Sequence, residues 1–402
     1  MKNTRLILPW ASCGASKKPG FNKQAGYSML ELLVAMAIGV LVLGSAITLQ
    51  VSNREGFKAT TSELEMKTSA KMAAEFIGTS LRSVGAMGCR TVDAYQNVQQ
   101  EDRVAKTAPS YNIVLTSSAN GTTYSANEDF NAGHEILGYD ANASGWVPAP
   151  DSVLNLNSMT AGSDAITLRG GVGESYVIAA GRIYGDTTYN LDVQAGTDIS
   201  IKPNDYAVAS SCKTAEVFRV TSVGSDNIGR AGGNGNAVGE LTQEFGIERE
   251  GFAELRRVAT TSYYIANNAR GVPTLYRNVD GVSSPLVEGV EHMMIDYGVE
   301  DSAVLRNVAN RYLTASAIQS TCDTPLSVPL KSGCLWPNVV SLRVSFIMRS
   351  RDEIFGKNVT KTYTLPGAVN QDYNKADKYT RAIYSSTFVV RNRLIGARTN
   401  NG

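Results

Sequence analysis

Histidine is nearly missing: there are two in 402 residues, too few to expect histidine-based catalysis or a histidine-built metal centre. An excess of one charge is missing as well. The 38 Lys and Arg balance the 37 Asp and Glu, so no basic field argues for nucleic acid and no acidic excess argues for disorder. There is no G-x-S-x-G, no Walker A lysine and no C-x₂-C pair. His134 and Glu135 lack the second histidine of H-E-x-x-H, and His292 lies beside Met293 and Met294 in an apolar stretch. GGNGNAVG has the wrong glycine spacing for a phosphate loop, and Asp192 and Asp198 lack an EF-hand spacing. The expectation is therefore no enzyme, no catalytic residue, no cofactor and no bound metal. No internal repeat is visible.

What is present is concentrated at one end. The first 26 residues carry five bases, Lys2, Arg5, Lys17, Lys18 and Lys23, and no acid. An apolar run follows, YSMLELLVAMAIGVLVLGSAITLQVSN, charged only at Glu31. The 22 residues from Leu32 to Asn53 carry no charge, and at about 1.5 Å each would form a helix that crosses a bilayer core of about 30 Å. Basic residues ahead of the span place the N-terminus in the cytoplasm and the bulk of the chain outside. An ordinary secretory signal puts its small-residue cleavage site after the apolar stretch, whereas Gly26 precedes it. Glu31 would cost about 2.5–3.5 kcal/mol if it were central in the membrane. It either snorkels to the headgroups or needs a cationic partner, and cutting at Gly26 would supply one as a free amine.

GYSMLELLVAMAIG resembles the leader junction of type IV pilins and type II secretion pseudopilins. In that family a prepilin peptidase cuts after the glycine, methylates the new N-terminal residue and leaves a glutamate at the fifth mature position. The resemblance makes Gly26 the last leader residue, Tyr27 the cleaved and methylated terminus, and Glu31 the assembly glutamate that accepts a neighbouring subunit's ammonium. Tyr27 stands where the family usually has phenylalanine and keeps the aromatic ring.

Further similarity recurs down the chain to PilW-type minor pilins. It lies in SLRSVGAMGCR (80–90), GHEILGYD (133–140), GSDAITLRGG (162–171), PLVEGVEHMMIDYGVE (285–300), WPNVVSLRVSFIMRS (336–350) and FVVRNR (388–393). The resemblance implies as partners the other minor pilins, the major pilin, the prepilin peptidase and methylase, the inner-membrane assembly platform and a tip adhesin. It implies a site in the inner membrane before assembly and in the extracellular pilus, near its tip, afterwards. Adhesion, twitching motility and DNA uptake would follow from the filament. The competing expectations are a minor pseudopilin of a type II secretion system and an uncut, signal-anchored periplasmic adhesin.

The expected fold is α+β and pilin-like, with a long N-terminal helix (about 28–83) on a β-rich body. The divisions are a leader at 1–26, a membrane half at 27–53, a periplasmic helix half at 54–85 and a β-rich periplasmic domain at 86–402. Phe57, Leu64, Met72, Phe76 and Leu81, widened by Ala73 and Ile77, form the stripe expected to pack on the body, with Glu63–Lys67 support on the wet face. Gly78, Gly85 and Gly88 mark the expected fraying end. Strands are expected at 112–116, 165–169, 175–180, 216–223, 262–266, 339–348, 360–365 and 386–392. Alternation in VSLRVSFIM predicts a half-buried strand, and Gly-, Ser- and Asn-rich composition predicts surface loops at 117–131 and 224–239. Cys13 leaves with the leader. Cys89, Cys212, Cys322 and Cys334 allow three pairings. The short CDTPLSVPLKSGC, with two prolines and a glycine, favours Cys322–Cys334 and leaves Cys89–Cys212. Such links are worth about 3 and about 4–5 kcal/mol and fit an oxidising compartment.

Overall fold

The computed structural model describes residues 28–87, 90–91, 110–111, 134–142, 144–156, 158–179, 190–194, 198–211, 215–231, 236, 253–302, 308–324 and 331–392. One helix, α1, runs from Met29 to Ser83, and the rest is β-rich. The chain divides into two compact units, Met1–Phe57 and Lys58–Gly402.

In the first unit, α1 is a bare apolar helix. Its leucines, valines and isoleucines from Met29 to Val51 are exposed, and none of its most apolar window is buried. By length and composition alone it is able to cross a membrane.

In the second unit, the remainder of α1 joins two sheets in one core. Ser110–Tyr111 (β3), Ala215–Arg219 (β9), Tyr206–Ser211 (β8), Ala253–Asn267 (β12), Ala165–Val177 (β6), Ile136–Asn142 (β4) and Gly145–Val147 (β5) lie side by side in that order. Pro273–Val279 (β13) and Val282–Glu288 (β14) complete this nine-stranded sheet. The long strand β12 organises it. One edge pairs with β6, while the other pairs first with β8 and then with β13. The second sheet has four strands, Arg311–Leu313 (β16), Val290–Val299 (β15), Val339–Arg349 (β17) and Arg381–Val389 (β20). The hairpin Val359–Leu365 (β18) with Gln371–Asp377 (β19) pairs only with itself among the described residues. Two smaller sheets are Ala86–Met87 (β1) with Arg90–Thr91 (β2), and Ser222–Val223 (β10), Asn227–Gly229 (β11) and Asn190–Asp192 (β7).

Met66, Ala70, Ala73, Ala74, Ile77 and Leu81 of the helix meet Ile166, Leu168, Tyr263 and Ile265 of the large sheet, and Met293, Leu342 and Phe346 of the smaller one. The helix face that packs matches the expected stripe at its C-terminal end, where Ala73, Ile77 and Leu81 are buried and Phe76 packs against the core, and departs from it before that. Phe57 is 74% exposed and Leu64 62%, and Met72 is also exposed, while Met66, Ala70 and Ala74 are buried. Small and bulky side chains interleave in the contact, as close packing requires. Gly78 belongs to this contact rather than to a fraying end: a Cβ there would lie 2.7 Å from the Phe388 ring. The helix terminates at Ser83, where Gly85 takes φ +67° and its N–H donates to the Arg169 carbonyl.

Two further expectations change. Strand β17 is covered on both faces. Leu342, Val344 and Phe346 enter the main core, while Ile347 packs with Met294, Tyr363 and Leu365 beneath the β18–β19 hairpin. Within the segment 224–239, residues Asn227–Gly229 form β11, with Ile228 and Arg230 buried, because Ile228 completes the core around Leu191 and Phe218. The expected strand at 112–116 and loop at 117–131 lie outside the described residues.

Candidate assembly site

Gly26 and Tyr27 lie outside the described residues, and Ser28 and Glu31 open the helix. The Ser28 N–H donates to a Glu31 carboxylate oxygen at 3.1 Å, and the Leu30 N–H donates to Ser28 Oγ at 3.3 Å. Glu31 thus satisfies the Ser28 N–H as in a capping box, while Ser28 Oγ caps the N–H of Leu30 one residue earlier. The spacing Ser28-x-x-Glu31 carries the signal for this. The carboxylate also sits at the positive end of a helix dipole. Behind it the helix is exposed and uncharged through Asn53. Chemically the arrangement presents one anion at the head of an apolar rod, able to accept a cation once it leaves its own backbone.

In the body, Cys322 and Cys334 form a disulfide with Cα atoms 4.5 Å apart, as the short intervening segment led one to expect. It closes a knot in which Thr314 caps the helix Ala315–Gln319. Asp140 accepts the Ala315 and Ser316 N–H groups, and the Trp336 indole donates to Gln319 at 2.9 Å. Cys89 and Cys212 lie outside the described residues.

Both histidines are buried in the body. His134 is buried, and its carbonyl accepts from Arg169. His292 is buried against Tyr373, and loss of solvent holds its imidazole below the ordinary histidine value. Beside it Glu291 is 3% exposed and meets Lys375, Arg349 and Arg381. Burial alone would raise its carboxyl, but the hydrogen bonds from Arg381 and Lys375 prevail and hold it below the usual range. Since Lys375 belongs to β19 and Arg381 begins β20, this cluster pins the outer hairpin to β15. Among the described residues, no group of three or more His, Cys, Asp or Glu is placed to hold a metal.

Comparison with known families agrees with both halves of this description. Residues 21–47 match the prokaryotic N-terminal methylation motif, which together with the exposed apolar helix supports a membrane-anchored pilin. Residues 262–392, from the second half of β12 through β20, match the model for type IV pilus-assembly protein W. Over these two segments the chain is PilW-like, and the matches support a minor pilin of the type IV pilus. The resembling segments at 285–300 and 336–350 fall inside that match, while those at 80–90, 133–140 and 162–171 fall outside it. No curated protein and no solved structure matches the chain.

Proposed function

We propose that the chain is a PilW-like minor pilin that primes type IV pilus assembly and is incorporated near the pilus tip, without catalysis of its own. The observation that carries this reading is Glu31, capping the first turn of an exposed apolar helix five residues after Gly26. Prepilin peptidase removes residues 1–26 and methylates Tyr27. Residues 27–53 hold the subunit in the inner membrane, 54–85 carry the helix into the periplasm, and 86–402 form the periplasmic body. Glu31 accepts the Tyr27 ammonium of a neighbouring pilin, a pairing that gives register more than net stability because both charges leave water. Its partners are the other minor pilins, the major pilin, the assembly platform and a tip adhesin. Adhesion, twitching motility and DNA uptake depend on it through the filament. The match to a pilus-assembly family favours the pilus over a type II secretion system.

N-terminal mass spectrometry of the protein from its own membranes tests the first step. The expected chain starts at Tyr27 and is heavier by one methyl group, whereas a chain starting at Met1 would make the helix a permanent anchor. Glu31→Gln tests the second step. It should leave membrane insertion intact and lower surface piliation at least tenfold, and wild-type piliation would defeat the assigned role.

A further inference from the structure

The four-stranded sheet ends on β20, whose far edge pairs with no other strand among the described residues. The ladder to β17 fixes which backbone groups that edge offers. The Val390 N–H donates to the Val340 carbonyl and the Ser350 N–H to the Thr380 carbonyl. The even-numbered residues of β20 therefore bond to β17, and the odd-numbered ones point away from it. The Arg381 N–H faces the Tyr363 hydroxyl. Ile383, Ser385, Thr387 and Val389 remain, a row about 20 Å long, and their N–H groups find no acceptor among the described residues.

Proteins ordinarily blunt such an edge by shortness, proline, a bulge or charge. The other terminal strands follow that rule. With β14, β18 and β19 excepted, they have two or three residues. Strand β14 contains Pro285 and opposes a bulge in its pairing with β13, and the β18–β19 hairpin exposes Lys361, Asp372 and Lys375. Strand β20 has nine residues in unbroken register with β17, and Ala382 to Val390 carry neither charge nor proline. Ser385, Thr387 and Val389 are exposed.

We propose that the β20 edge docks an extended segment of another polypeptide, bearing acidic side chains, that joins the sheet as a fifth strand. Main-chain hydrogen bonds would hold such a strand, and its alternate side chains would select it. Its charge follows from the flank. Helix α1 crosses the face of β20 that carries Tyr384 and Phe388: the Tyr384 hydroxyl reaches the Glu63 carbonyl, and the Phe388 ring lies against Gly78. Lys67 and Lys71 follow Glu63 at steps of four on this side of the helix and are exposed, as is Arg391 just past the strand. The acids on this flank are Glu63 and Glu75, and Glu75 is taken by Arg82. On the opposite face Arg343, across from Thr387, is paired with Asp296. The flank is thus basic on balance. A second copy of the chain would bring the same bases to the same edge and be repelled, whereas an acidic strand is attracted.

The edge belongs to the body alone, so the inference does not rest on the assembly reading. The test is fluorescence anisotropy of a labelled heptapeptide, Asp-Thr-Val-Thr-Val-Thr-Asp, titrated with the full chain in uncharged detergent micelles. Saturable binding is expected, at least tenfold tighter than that of the peptide with lysine for both aspartates, the gap closing as salt rises. Alternate amides of a strand face opposite edges. N-methylation of the threonines and N-methylation of the valines should therefore differ, one abolishing binding and the other sparing it. Thr387→Pro removes an N–H that β17 does not use and should abolish binding at an unchanged melting temperature. No saturable binding, equal binding of the lysine peptide, equal behaviour of the two methylated peptides or undiminished binding by Thr387→Pro would overturn the proposal. A dimer in light scattering that Thr387→Pro dissolves would also overturn it, by making the occupant a second copy. Binding that appears only when residues 393–402 are deleted would do the same, by making it the chain's own end. The methylated peptides are read on the wild-type chain, so the result stands even if the proline variant folds poorly.

Discussion

Asp164 is the residue at which the body's electrostatics are most exposed to test. Its two carboxylate oxygens accept the Ala141 and Ile295 N–H groups, each at 2.9 Å, and tie β4 to β15. Burial, reinforced by Asp140 and Asp296 nearby, outweighs these two donors and lifts its pKa to about 8 from the usual 3.8. Between those values the folded chain holds a proton that the unfolded chain has released. Stability at this site is therefore greatest at low pH and falls as pH rises towards 8, by at most about 1.4 kcal/mol per pH unit. Asp164→Asn keeps an acceptor and removes the titration. Denaturant melts from pH 5 to 8 should show the wild type losing stability relative to Asp164→Asn as pH rises. Parallel curves, or a wild type gaining relative to the variant, would mean that the carboxyl is ionised throughout.

Among the elements, the helix and its seat on the large sheet show how much the sequence disclosed. The long helix, the apolar span and most strands of the PilW-like region are legible because each is written locally, in an uncharged run or in β-branched alternation. The docking face is legible in part: Ala73, Ile77 and Leu81 of the expected stripe are buried, while Phe57, Leu64 and Met72 are exposed. Hydropathy alone does not mark Ala70, Ala74 and Gly78, which join the contact because the helix lies close to its neighbours there. Nor is the pairing of β12 with β6, β8 and β13 legible, since each depends on partners far along the chain. Asp164, an ordinary acid in sequence, owes its environment to β4 and β15, which are likewise distant along the chain. Gly170 states the close-approach rule most sharply. A Cβ there would lie 2.0 Å from the Ser83 carbonyl oxygen, a backbone atom at the end of the helix that has no rotamer to yield. Gly170→Ala should cost about 3 kcal/mol, the upper end for overpacking, read as a lowered denaturant midpoint. A loss under about 0.5 kcal/mol, within the range of ordinary surface substitutions, would mean that the helix end is loosely seated.

For the whole molecule, two independent features speak to which side of the membrane the body occupies. One is the run of Lys2, Arg5, Lys17, Lys18 and Lys23 ahead of the span, a charge asymmetry that favours a cytoplasmic N-terminus on the positive-inside rule. The other is the Cys322–Cys334 disulfide, a bond that persists in oxidising compartments and is rare where thiols are kept reduced. The first acts on insertion and the second on folding, so nothing requires them to agree unless the body is exported. Whole cells can be quenched with acid and treated with a membrane-permeant alkylating reagent, with and without prior reduction, and the peptides bearing Cys322 and Cys334 then examined. Both cysteines should resist alkylation until reductant is added. Because the bond closes a short loop, Cys322→Ser with Cys334→Ser should also lower body stability by about 3 kcal/mol, seen as an earlier unfolding midpoint. Full alkylation of both thiols without reductant would place the body in a reducing compartment, contrary to the charge asymmetry, and would remove the exported pilin from consideration.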